Sequence, residues 1–214
     1  MRNVAISKEV QENLSPNNVL NDLLEGNERF TSNQLAEVAH LDLVDQTITG
    51  QFPKAVVLSC IDSRVPVEQV FDQAIGDIFV ARVAGNFENE DILGSLEYSC
   101  AVAGSKLVLV LGHESCGAVK AACDDVKLGN ITHLLSNIMP AVEKSSNEVD
   151  GENNSSNADF VAKTVENNVL LTIDRIRERS EILADLETKP VLSNDLLHIS
   201  VFPPPPNVQI FRRL

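Results

Sequence analysis

Three short apolar runs constrain this chain more than anything else in it. Residues 55–58 read AVVL, residues 77–83 read DIFVARV and residues 107–111 read LVLVL. Each has the length of a strand, and each is almost wholly aliphatic or β-branched, without the apolar–polar alternation of a strand that shows one face to water. Stretches of helical length separate them. Strands buried on both faces and alternating with helices make a parallel sheet covered on each side. The fold class is therefore α/β: a mostly parallel central β-sheet flanked by helices, with an N-terminal helical arm.

Residues 1–14 are polar with scattered apolar positions and form that arm. Ser15 and Pro16 supply a cap and a proline at the first helical position, and Leu20, Leu23, Leu24 and Phe30 give the helix beyond them one apolar face, as far as about Phe30. Residues 31–53 are mixed and turn-prone. After the first strand, Pro66 can open a helix. Residues 91–103 carry Ile92, Leu96 and Val102 toward the core and end at Gly104. A helix follows the third strand from about Glu114, and another runs from about Ile131 through Leu134, Leu135 and Ile138 to Pro140. Residues 144–157 are a solvated loop. From Asp159 to about Ser180, Val161, Val165, Val169, Ile173 and Ile176 recur at helical spacing. No internal repeat is visible.

The 214 residues suffice for one sizeable core. Residues 1–187 read as a single domain and 188–214 as a tail. With 31 acidic against 17 basic side chains the net charge is −14, which repels a polyanion and disfavours nucleic-acid binding. Four cysteines are too few for a disulfide scaffold in a chain of this length and suggest a reducing compartment. The first residues lack the apolar core of a secretory signal, and no run reaches membrane-spanning length. The expected location is cytoplasmic, with no membrane partner.

Two of the strand runs end in reactive residues. The first ends at Cys60-Ile61-Asp62-Ser63-Arg64 and the third at Gly112-His113-Glu114-Ser115-Cys116-Gly117. In open parallel sheets, ligands bind beyond the carboxyl ends of the strands, which is where both clusters fall. Cys60 and Cys116 as thiolates with neutral His113 are three ligands of the kinds zinc prefers, leaving one position open as in a catalytic site. Placed in the first turn of the following helix, Cys116 would also have its thiolate favoured by the helix dipole. His113 and Cys116 alone read as readily as core residues, and Asp62 and Arg64 as a surface ion pair. Two such clusters, each at a strand end, favour the metal. Cys100 and Cys123 read as core thiols, and His40, His133 and His198 have no ligand-spaced partner.

Taken together with the stretches RVAGN at 82–86 and GSLEY at 94–98, these motifs resemble the β-class carbonic anhydrases, from roughly Leu23 to Glu187. The resemblance implies one Zn2+ per chain on Cys60, His113 and Cys116, and reversible hydration of CO2 to bicarbonate and a proton by zinc-bound hydroxide. It implies that Asp62 pairs with Arg64 and can become a fourth zinc ligand in a closed state. Gln51, Phe79, Tyr98 and Gly117 are then substrate-cleft residues, in clefts commonly completed across a homodimer or a homotetramer. Two thiolates neutralise the metal's formal charge, so bound water needs help from its surroundings to ionise. Asp62, held by Arg64, would orient the nucleophile by accepting its hydrogen bond.

The chain departs from that family after Glu187, where a terminal apolar strand with a glycine-alanine turn and a tyrosine is expected. Residues 196–202 can serve as a strand instead, stopped by Pro203 to Pro206. An altered tail that leaves the sheet edge exposed would instead give a catalytically impaired zinc-binding subunit. A zinc hydrolase of the same fold acting on COS or CS2 is the nearer alternative, and a dithiol redox protein lacks the CxxC spacing. The chain has no tryptophan, with which family members build a bicarbonate inhibitory pocket, so the constitutively open subtype is expected.

Overall fold

The computed structural model describes residues 3–188 and 198–202. The N-terminal part is helical: α1 is Lys8–Glu12, α2 Pro16–Thr31 and α3 His40–Thr47. Strand β1, Ala55–Ser59, is followed by α4, Val67–Val70, and by β2, Ile78–Arg82. Helix α5, Glu90–Glu97, continues as one turn of π-helix, Tyr98–Val102, before β3, Leu107–Leu111. Then come α6, Gly117–Cys123, α7, Gly129–Ser136, α8, Met139–Ser145, α9, Ala158–Arg179, α10, Glu181–Thr188, and β4, His198–Phe202. The strands form one parallel sheet in the order β2-β1-β3-β4.

Side chains of a strand alternate between its faces, so an all-apolar strand feeds two cores. Val56, Leu58, Val108 and Val110 pack against Ile92, Leu93 and Leu96 of α5 and Val169, Ile173 and Ile176 of α9. Ala55, Val57, Leu107, Leu109 and Leu111 pack on the other face against Val19 and Leu23 of α2 and Val67 and Val70 of α4. Full burial of one such aliphatic side chain contributes about 1.5–3 kcal/mol, so the central strands anchor the domain.

The ends of the main helices follow from their sequences. Ser15 caps α2 in a reciprocal box with Asn18, and Pro16 occupies the first turn. Asn157 caps α9 by accepting from the Phe160 amide, and Arg177 and Arg179 stand in its last turn, where cations oppose the dipole. The arm is tied down by Gln11, which is buried and donates from Nε2 to the carbonyls of Pro53 and Ala103, both at 2.8 Å. Among the described residues, no helix is long and apolar enough to cross a membrane.

Several details differ from the sequence reading, among them the helix expected from Ile131 to Pro140, which ends at Ser136 while Pro140 stands in the first turn of α8. Helix α3 lies inside the mixed stretch 31–53, where only Leu43 of its residues is buried and no side chain caps its start. The helix expected over 91–103 widens to π pitch at Tyr98, which rotates Val102 outward to 71% exposure. The helix expected from Glu114 begins at Gly117, because Ser115 adopts φ +54° and breaks the turn. The strand expected over 196–202 is observed from His198, beside β3, so that edge of β3 is paired. Leu196, Leu197 and Pro203 to Pro206 lie outside the described residues.

Gly26 sets how closely α2 can approach the loop after α4. A Cβ there would sit 1.9 Å from the Phe71 carbonyl oxygen, and that oxygen belongs to rigid backbone. Gly26→Ala should therefore destabilise the fold by about 2 kcal/mol through overpacking, despite alanine's better helix propensity. Urea unfolding measures this; equal or greater stability would show that α2 can move aside.

Candidate metal centre

In β1 and β3, Ser59 stands beside Leu111 in register. Cys60 and Gly112 therefore leave the sheet side by side, and His113 follows. The chain passes from β1 to β2 on one side and from β3 toward β4 on the other, so the space between β1 and β3 is the sheet's switch point. The left-handed Ser115 then turns the chain so that Cys116 becomes the N-cap of α6. Cys116 thus precedes the first turn in which it was expected, but the Ala118 and Val119 amides still face its sulfur.

One ligand atom each from Cys60, His113 and Cys116 lies within 4.8 Å of the others, and the three residues are 4%, 3% and 1% exposed. The two sulfurs are 3.9 Å apart. A disulfide needs about 2.05 Å, whereas two thiolates about 2.3 Å from a tetrahedral zinc stand about 3.8 Å apart. The His113 Nδ1 is 3.0 Å from the Glu114 carbonyl, to which it donates in the tautomer that leaves Nε2 as the acceptor. Nε2 is buried and makes no hydrogen bond among the described residues. An unsatisfied ring nitrogen beside two sulfurs at this spacing fits a metal ion.

The thiols point the same way. The hydrogen bond shared with Cys116 holds the Cys60 thiol well below its ordinary range; burial opposes this, while the nearby His113 ring and the Gly85 and Asp62 amides add to it. Cys116 is pushed up by the same shared hydrogen bond and by burial. The pair gives up its first proton readily and keeps the second. A cation would replace that second proton.

Asp62 and Arg64 form a tight pair. Arg64 Nε and backbone N–H both donate to Asp62 Oδ1 at 2.9 Å, and Nη2 donates to Oδ2 at 2.8 Å. Arg64 Nη2 also reaches the Ser115 carbonyl at 3.2 Å and so links the two strand ends. The side-chain hydrogen bonds from Arg64 hold the Asp62 carboxyl far below the usual carboxylate range. Both side chains are partly exposed, so the pair is better suited to orienting a group than to stabilising the fold.

Two contributors were not visible as such in the sequence. Arg82, at the end of β2, donates from Nε to the Cys60 carbonyl at 2.9 Å and from Nη2 to the Asp62 carbonyl at 2.7 Å, fixing the motif's backbone. Asn168 of α9 donates to the Gly85 carbonyl at 2.7 Å, and the Gly85 amide donates to Cys60 Sγ at 3.4 Å. A signal existed for Asn168, since Thr164, Asn168 and Thr172 recur every four residues along the buried flank of the α9 stripe.

Phe79 and Tyr98 come together, their ring centroids 6.3 Å apart, in a groove of about 610 Å³ beside β2 that Glu90, Asp91 and Ser95 also line. Gln51, which is exposed, and Gly117 are not among the residues lining it. Cys100 and Cys123 are buried thiols, Cys100 being pushed up to about 12 by burial, as befits core residues.

Residues 55–193 match the family model described as carbonic anhydrase. The chain belongs to the carbonic anhydrase family. Its class is shown by the fold: it resembles the β-carbonic anhydrase of Coccomyxa with 27% identity and a TM-score of 0.60, over 78% of this chain and 75% of that one. Carbonic anhydrase 2 of Mycobacterium tuberculosis is 44% identical over 110 residues, 51% of this chain and 53% of that protein. The carbonic anhydrase of Mycolicibacterium smegmatis is 39% identical over 126 residues, 56% and 61% of the two chains. The chain thus spans little more than half the length of the curated relatives it matches.

If these three residues form one metal centre, removing the imidazole should cripple it. His113→Ala should weaken cobalt or zinc binding by more than about 100-fold, beyond the range for residues outside the ligand set. Chelator competition on the folded variant measures this, and native-like affinity would exclude His113 as a ligand.

Proposed function

We propose that this chain catalyses the reversible hydration of CO2 to bicarbonate at one zinc held by Cys60, His113 and Cys116. The carrying observation is the convergence of three buried donor atoms at the sheet's switch point, next to a carboxylate held bidentately by arginine. When bound, zinc supplies water that ionises near neutral pH and an electrophile for the substrate oxygen.

The chain's own residues do the orienting. Asp62 accepts a hydrogen bond from the reacting water, which aims the water's remaining lone pair at the substrate carbon. It cannot accept one from an anion that carries no proton. Arg64 fastens both Asp62 oxygens, and Arg82 fastens the backbone on either side of Ile61, so the acceptor keeps its position. This pairing supports the reading in which Asp62 stays with Arg64 rather than joining the zinc. Because its folded pKa is depressed, the pair's contribution is complete above the ordinary carboxylate pKa of about 3.9 and is lost only as pH falls through the depressed value.

The assembly we propose is a homodimer, or a tetramer built of dimers. Strand β2 has a single neighbour, β1, among the described strands, and is half-buried along most of its length. Tyr98, at 57% exposure, stands beside it in the Phe79 groove. A second copy over this edge would cover them and complete the cleft to which Gln51, Phe79, Tyr98 and Gly117 are assigned. All four cysteines are free thiols, which suits the cytoplasm. The pairing of β4 with β3 removes the exposed-edge ground for an impaired subunit.

Asp62→Asn should lower stopped-flow CO2 hydration by at least about 100-fold while zinc stays at one per chain, a loss in the range expected for a positioned acid–base group. Unchanged turnover would sink the role. In the native protein, Asp62 titrates too low to shape the neutral range, so hydration should rise from neutral to mildly alkaline pH with ionisation of the reacting water. A flat rate would rule out that ionisation as the control.

A further inference from the structure

The loop after β2 is held from behind by α9. Glu88, 3% exposed, accepts from Arg175 Nε at 3.1 Å and from Arg179 Nη1 at 3.0 Å. Three residues earlier, Gly85 has φ +84° and Asn86 φ +44°, a left-handed pair that brings the Gly85 amide onto the Cys60 sulfur. A Cβ at Gly85 would lie 2.5 Å from Ile138 Cδ1, so Ile138 packs closely against the turn. Its carbonyl is held by the Asn168 amide at 2.7 Å.

Asn168 is 1% exposed, and its Oδ1 makes no hydrogen bond among the described residues. A buried amide with one unsatisfied end is a poor choice for packing alone, and a leucine would suit the adjoining apolar stripe better. Its one bond goes to the turn that faces a candidate metal ligand.

We infer that Asn168 is a positioning residue for the metal thiolate, holding the Gly85 turn so that the Gly85 N–H remains on Cys60 Sγ. The inference rests on the zinc reading above. An amide hydrogen bond draws electron density from a thiolate and leaves the metal a stronger Lewis acid. Asn168 thereby acts on the site across two hydrogen bonds without touching substrate. Thr172, one turn further along α9, is equally buried, but its hydroxyl makes no bond among the described residues, so it serves as the comparison.

The test uses the cobalt-substituted full chain. Native protein should show a sulfur-to-cobalt charge-transfer band. Asn168→Leu and the smaller Asn168→Ser should shift it to longer wavelength and weaken cobalt retention against a chelator by about 10-fold. Thr172→Val should leave the band in place. Either Asn168 variant alone is sufficient if the other does not fold. An unmoved band in a folded Asn168 variant, or an equal shift in Thr172→Val, overturns the inference and leaves the zinc reading standing. A native protein with no such band overturns both.

Discussion

The register between β1 and β3 is the constraint on which the centre depends. With Ser59 opposite Leu111, the residues that follow emerge at one level, and only then can Cys60 meet His113 and Cys116. Moving β3 by one residue would exchange its two faces, burying in each core the side chains meant for the other. Hydrophobic packing and ligand convergence are thus enforced by the same pairing. The apolar strands do more than stabilise the domain; they also bring the candidate ligands together.

Around that register the loops are held at several points, each weak alone. Arg64 ties Asp62 to the Ser115 carbonyl, Arg82 ties the Cys60–Asp62 backbone to the end of β2, and α9 ties the Gly85 turn and Glu88. The partly exposed Asp62–Arg64 pair contributes little to stability, whereas Glu88 is buried against its two arginines. All of these ties fix the geometry of the strand ends around the candidate site.

Much of this could be read from the sequence because it is encoded locally. The aliphatic runs at 55–58 and 107–111 declare buried strands, and helix α9 declares itself by period. The convergence of Cys60, His113 and Cys116 follows from their place at two strand ends. The π turn at Tyr98 was not legible, because its residues would suit an ordinary helix equally well. Helix α3 has no side-chain cap at its start and buries only Leu43. The reach of Asn168 to Gly85 spans 83 residues, and a single sequence records no such pairing. Residues 203–206, expected to stop the last strand, lie outside the described part of the chain.

Gln11 shows how far the domain extends beyond its sheet. Its amide donates to two main-chain oxygens, one just before β1, which it shares with the Ser105 hydroxyl, and one just after the π turn. A chain trimmed ahead of residue 15 would take this donor from the Ala103 carbonyl and leave the Pro53 carbonyl with Ser105 Oγ alone, at 2.9 Å. The arm therefore belongs to the same cooperative unit as the sheet. Fraying at residue 11 would loosen, from the far end, the strand that carries Cys60.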